Sequence, residues 1–94
     1  MPENKLKRQL DFTIALATAA NHFNRGEYAE AAHITNACKP KSFSERITHA
    51  LIRAELCLAH GDTEAAKRLF TEIAQKGNKL FAVTLAKKHL ESLA

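Results

Sequence analysis

The sequence predicts an all-α protein of about five antiparallel helices in a single domain over residues 1–94. Alanine occurs 17 times and leucine 11 times, against one valine, three glycines and two prolines, and this composition favours helix over strand. Apolar residues recur at spacings of three and four along most of the chain. The 94 residues fit one domain with a small core, and the composition excludes β-sandwiches, disulfide scaffolds and most large enzyme folds.

The helices are delimited by short glycine- or proline-containing stretches. We expect them over these approximate ranges: Pro2 or Asn4 to Asn24, Glu27 to Cys38, Phe43 to His60, Thr63 to Lys76, and Lys79 to Leu93.

The first helix carries two apolar stripes, so it is apolar on more than one face. One stripe consists of Leu6, Leu10, Ile14 and Ala17; the other consists of Phe12, Leu16, Ala20 and Phe23. The helix should end before Gly26, because glycine adopts the left-handed conformation that closes a helix.

The remaining boundaries have local signals of their own. Pro40 ends the second helix, and Ser42 with Glu45 three residues later forms a capping box at the start of the third. Gly61 followed by Asp62 closes the third helix and opens the fourth, and Gly77 followed by Asn78 is the next stop.

An internal repeat of helix, turn and helix is indicated by the glycines. Gly26 and Gly61 are 35 residues apart, and so are Ala31 and Ala66. A period near 34 residues is typical of helical repeat arrays. We therefore expect one repeat over about 12–42, a second over about 43–78, and a closing helix over about 79–93.

The segments Arg25-Gly-Glu-Tyr-Ala-Glu-Ala31 and Gly61-Asp-Thr-Glu-Ala-Ala66 resemble the turn and second-helix start of tetratricopeptide repeats. The resemblance implies that small residues at Ala19 and Ala54 let paired helices approach, and that Ala31 and Ala66 fit beneath the first helix of each repeat. An aromatic residue of the family pattern is matched by Phe70, whereas the first repeat has Thr35.

If this resemblance holds, the first helix of each repeat lines a concave face, and that face binds an amphipathic helix of a partner protein. The residues expected to line this partner-binding groove are Leu16, Ala20, Phe23, Leu51, Glu55 and Leu58. The alternative is an internal core, in which Leu16 and Phe23 pack on the closing helix through Leu85, Leu90 or Leu93.

The size of the chain and the segment Asn24-Arg-Gly-Glu-Tyr-Ala-Glu-Ala31 are also similar to one group of small tetratricopeptide-like proteins. These are the chaperones that hold needle subunits of bacterial type III secretion by an amphipathic C-terminal helix. The resemblance implies a chaperone or adaptor function in the cytoplasm.

Two further functions stay open, one suggested by the net charge of +4 and the other by the apolar groove. A small basic helical domain could bind nucleic acid through Lys39, Lys41, Lys67 and Arg68. Alternatively, the apolar groove could be filled by a second copy in a structural homo-oligomer.

Catalytic and cofactor motifs are not evident. The five histidines do not form an HExxH motif or clean zinc-ligand pairs with Cys38 or Cys57, and there is no glycine-rich phosphate loop. We expect no enzyme activity, cofactor, metal site or membrane span. The cysteines should be buried free thiols of a protein in a reducing compartment. Residues 1–20 are better explained as a first helix than as a signal peptide.

Overall fold

The computed structural model describes the backbone of residues 2–76 and 81–93, and the side chains of residues 5–76 and 83–93. Within these ranges the chain forms five α-helices and no strand, so the predicted all-α class is confirmed. The helices are α1 (Pro2–Asn24), α2 (Tyr28–Ala37), α3 (Phe43–Ala59), α4 (Thr63–Lys76) and α5 (Phe81–Leu93). The stop predicted at Gly77 and Asn78 and the helix start predicted at Lys79 lie outside the described residues.

The chain divides into two compact units, Met1–Pro40 and Lys41–Ala94. In the first unit α1 packs against α2; in the second α3 packs against α4, and α5 packs against both. The division falls beside Pro40, which follows the end of α2. It lies close to the repeat boundary predicted at residues 42 and 43.

The turns that join α1 to α2 and α3 to α4 have the same geometry. Gly26 and Gly61 have φ angles of 80° and 81°, and each closes a Schellman motif in which two amides bond back to the preceding helix. The bonds are Glu27 N to His22 O (2.9 Å) and Gly26 N to Phe23 O (3.0 Å), then Asp62 N to Cys57 O (2.8 Å) and Gly61 N to Leu58 O (3.0 Å). The 35-residue repeat in the sequence is therefore also a repeat in backbone structure.

Small residues occupy fully buried positions on four of the helices. Ala19 of α1, Ala31 of α2, Ala54 of α3 and Ala66 of α4 are each fully buried. An alanine side chain lets two helix backbones approach closely, and a larger one would force them apart. The four alanines singled out in the sequence are therefore packing positions.

The second unit has a continuous apolar core. Its buried members are Ile47, Leu51, Ala54, Ala66, Phe70, Ile73, Val83 and Ala86, contributed by all three helices. Phe70 is the largest fully buried side chain among the described residues, and it stacks on the imidazole of His89 with 4.6 Å between ring centroids. The contact joins α4 to α5.

The start of α3 is held by the predicted capping box. The Ser42 hydroxyl accepts a hydrogen bond from the Glu45 amide at 3.1 Å, and the Glu45 carboxylate accepts one from the Ser42 amide at 3.4 Å. This reciprocal pair satisfies backbone donors that the first turn of a helix leaves without helical partners.

Candidate functional site

A row of large apolar side chains lies exposed on α1. Leu6, Leu10 and Ile14 have exposed fractions of 68%, 57% and 55%. Their spacing of four residues places them on one helix face over about two turns. We call these three residues the α1 stripe. A contiguous apolar patch on a small soluble protein commonly marks a binding surface.

The position of α2 explains why the α1 stripe is exposed. Phe12, Leu16 and Ala19 form the buried face of α1, and at 100° per residue the stripe lies roughly 150° around the helix from this face. In addition, α2 has 10 residues against 23 in α1. At 1.5 Å per residue α2 spans about 15 Å of a helix about 34 Å long, so it runs beside only the C-terminal part.

The two edges of the α1 stripe differ in charge. Lys7 and Asp11, both exposed, follow one edge, whereas the uncharged Gln9 and Thr13 follow the other. The Thr13 hydroxyl donates to the Gln9 carbonyl at 3.0 Å, a bond within the helix. One edge of the stripe thus carries a cation and an anion one turn apart, and the other edge is neutral.

The groove residues predicted on α1 differ in their exposure. Leu16 is buried, and Ala20 and Phe23 are half-buried. The ring of Phe23 packs edge-on against Tyr28, with 5.2 Å between centroids and 63° between planes. Leu16 therefore stabilises its own unit, whereas the ring of Phe23 is partly exposed beside the turn that joins α1 to α2.

The groove residues predicted on α3 belong to the second unit. Leu51 is a buried member of the core, and Leu58 is partly buried against it. Glu55 is half-buried; burial raises the pKa of its carboxyl, and the charge of His89 acts in the opposite direction. Leu85, Leu90 and Leu93 of α5 pack against this same core. A partner contact through the six predicted groove residues stays a prediction.

A concave feature of the second unit lies between α3 and α4. This cleft of about 180 Å³ is lined by Phe43, Arg46, Ile47, Ala50, Glu72, Ile73 and Lys76. Phe43 is 47% exposed. On the rim Lys76 pairs with Glu72 at 3.0 Å, and Arg46 donates to the Lys41 carbonyl at 3.3 Å. The cleft thus combines apolar lining side chains with a charged rim.

The sequence contained a signal for the α1 stripe but not for the cleft. Leu6, Leu10 and Ile14 recur at helical spacing, yet the predicted groove uses the other stripe of the same helix. Nothing in a one-dimensional pattern shows which of two apolar faces a neighbour will cover. The cleft depends on how α3 and α4 pack against each other, which residue spacing alone does not determine.

The two cysteines are free thiols. Both are partly buried, whereas the sequence predicts buried thiols. The Cys38 thiol donates to the Ile34 carbonyl at 3.2 Å, and burial raises its pKa, which lowers its reactivity as a nucleophile. Cys57 packs against the core of the second unit.

Among the described residues, no cluster of three or more histidine, cysteine or acidic side chains could hold a metal ion. No helix in that part of the chain has the length and apolar character needed to cross a membrane. Comparison with known proteins finds no matching family model, no matching curated protein and no matching solved structure.

Proposed function

We propose that this protein is a protein-binding module, a chaperone or adaptor, that holds an amphipathic helix of a partner. The observation that carries the proposal is the α1 stripe, in which Leu6, Leu10 and Ile14 are each more than half exposed. Apolar anchors at every fourth position are the pattern by which a helix contacts another helix.

The energetics of exposure support this proposal. Burying a leucine or isoleucine side chain contributes about 1.5–3 kcal/mol relative to leaving it in water. Three such side chains are a large fraction of the net stability of a small domain, about 5–15 kcal/mol. A partner helix that covers the α1 stripe regains part of this free energy, and its own apolar side chains can pack between Leu6, Leu10 and Ile14.

A narrower proposal names the client. The segment Asn24–Ala31 and the chain length resemble needle-subunit chaperones of type III secretion, so the C-terminal helix of a needle subunit is the first candidate partner. This proposal is supported by the sequence resemblance alone. The α1 stripe supports the broader proposal, which is that the protein binds a helix of a partner.

The broader proposal is tested by substitution at the centre of the α1 stripe. Leu10→Glu keeps a good helix former but places a charge in the interface, so we expect partner capture to fall at least about tenfold. The measurement is affinity capture from the source cell after chemical cross-linking, quantified by mass spectrometry. If a needle subunit is encoded there, a synthetic peptide of its C-terminal helix is titrated in parallel by fluorescence anisotropy.

The matched control is Thr71→Glu, which introduces the same charge at an exposed position of α4. It should capture the same proteins as the unsubstituted chain. Capture that is equal in the Leu10→Glu variant and in the unsubstituted chain would contradict binding through the α1 stripe. Capture of no helical segment by the unsubstituted chain would contradict the function itself.

A further inference from the structure

We propose that a second copy of this chain covers the α1 stripe when no partner is bound. The two α1 helices would pair antiparallel about a two-fold axis at Leu10. The inference uses the same surface as the proposed function, and it adds a resting state that a partner must displace.

The apolar spacing of the α1 stripe is self-complementary. Leu6 and Ile14 lie four residues on either side of Leu10. In an antiparallel pair centred on Leu10, Leu10 meets its symmetry mate and Leu6 of each copy meets Ile14 of the other. A two-fold pair of this kind is closed, because the same patch serves both copies.

The charges along one edge of the stripe are complementary in the same arrangement. Lys7 and Asp11, both exposed, lie on the same side of Leu10. Antiparallel pairing brings matching edges of the two helices together, so Lys7 of each copy lies beside Asp11 of the other. A parallel two-fold pair would instead place this charged edge of each copy against the neutral edge, with Gln9 and Thr13, of the other. The charge pattern therefore selects both a second copy as occupant and the antiparallel direction.

The size of this surface sets the expected affinity. Specific protein interfaces typically bury about 800 Å² per partner, and three exposed side chains on one helix face offer less. We expect a reversible dimer with a Kd on the order of micromolar to hundreds of micromolar. A dimer of this strength covers the α1 stripe at high protein concentration, and a partner that binds more tightly displaces the second copy.

The test is sedimentation equilibrium of the full chain without any partner, from about 10 µM to about 1 mM, a range that spans the expected Kd. We expect the mass to rise from monomer to dimer with concentration. Leu10→Glu should raise the Kd at least about tenfold, and Thr71→Glu should leave it unchanged. A chain that stays monomeric to 1 mM, or a dimer that Leu10→Glu does not weaken, overturns the inference.

A charge exchange tests the antiparallel register. Lys7→Glu places two acidic residues at each contact and Asp11→Lys places two basic residues there, so each variant should self-associate roughly threefold or more weakly than the unsubstituted chain. Mixing the two variants restores both opposite-charge contacts, and we expect the mixed dimer to exceed its statistical half share in native mass spectrometry. A statistical mixture overturns the register.

Circular dichroism of each variant shows whether the helix is retained. The mixing experiment then separates contacts between chains from effects within one chain, because an effect within one chain does not depend on mixing. The result is independent of the proposed function because no partner is present. A homodimer without a helical partner would overturn that function alone, and partner capture by a strict monomer would overturn this inference alone.

Discussion

Burial and a neighbouring charge act in opposite directions on the pKa of Glu55 in α3. Its carboxyl is half-buried, and desolvation raises its pKa, while the nearby charge of His89 lowers it. His89 is itself held in place by stacking on Phe70. The raised pKa means that the native state binds the Glu55 proton more tightly than the unfolded state does. Ionised Glu55 therefore destabilises the native state relative to the protonated form.

The first prediction concerns the pH dependence of this effect. We expect Glu55→Gln to raise the midpoint of thermal unfolding at pH 7, because the neutral amide avoids desolvation of a charge. The gain should shrink as the pH falls through the native pKa of Glu55, and vanish below the ordinary glutamate pKa of about 4.3. Circular dichroism melts of both proteins between about pH 4 and pH 8, a range that brackets these values, measure it. A variant less stable at pH 7 would show instead that Glu55 makes a net favourable interaction.

Thr35 illustrates how a polar residue is accommodated at a buried position. It lies 35 residues before Phe70, and both side chains are fully buried. The Thr35 hydroxyl donates to the Ala31 carbonyl at 2.7 Å, so its polar atom is satisfied within its own helix. The equivalent positions of α2 and α4 are thus both buried, although their side chains differ greatly in size.

At the scale of the element, helix ends are the features that the sequence specifies most directly. The capping box of α3 uses Ser42 and Glu45, and Asp62 caps α4 by accepting from the Ala65 amide at 3.2 Å. Both α1 and α3 are followed by a glycine with positive φ, Gly26 and Gly61. A side chain added at Gly26 or Gly61 would meet no atom within 4 Å, so the requirement for glycine is conformational rather than steric.

The second prediction concerns the helix cap. Ser42→Ala should lower the free energy of unfolding by about 1 kcal/mol, because the Glu45 amide loses its acceptor. Ser44→Ala is the matched control, since it removes the same hydroxyl two residues later, from an exposed position within the helix, and should be neutral or slightly stabilising. Urea titrations followed by circular dichroism give both values. Equal effects of the two substitutions would contradict a specific role for the cap.

At the scale of the molecule, the two units differ in how much core they contain. The unit Lys41–Ala94 has a core contributed by three helices. The unit Met1–Pro40 contains two helices, and one of them, α1, is apolar on both the buried face and the exposed face. Chains below about 40 residues rarely fold without a metal, a disulfide or a partner.

The third prediction follows from this difference. A fragment of residues 41–94 should retain helical circular dichroism and melt cooperatively, whereas a fragment of residues 1–40 should be largely unfolded on its own. Far-ultraviolet circular dichroism against temperature distinguishes the two outcomes. A fragment of residues 41–94 without a cooperative transition would show that the core of α3–α5 is insufficient by itself.

The local features of this protein could be predicted from its sequence because each depends on residues close together in the chain. The capping box, both glycine turns and the described helix ends are set by side-chain and backbone chemistry within about five residues. The 35-residue repeat was also visible, since equivalent turns recruit equivalent residues at Gly26 and Gly61.

The positions of the described helices and the apolar faces of each thus follow from the order of residues in the chain. Which apolar face is buried depends on how the helices pack. The second stripe of α1 contributes Phe12 and Leu16 to the buried side, and Leu6, Leu10 and Ile14 remain exposed, although both stripes have helical spacing. Hydrophobic free energy depends on the area removed from water. That area is set by where α2 packs and how far it reaches along α1.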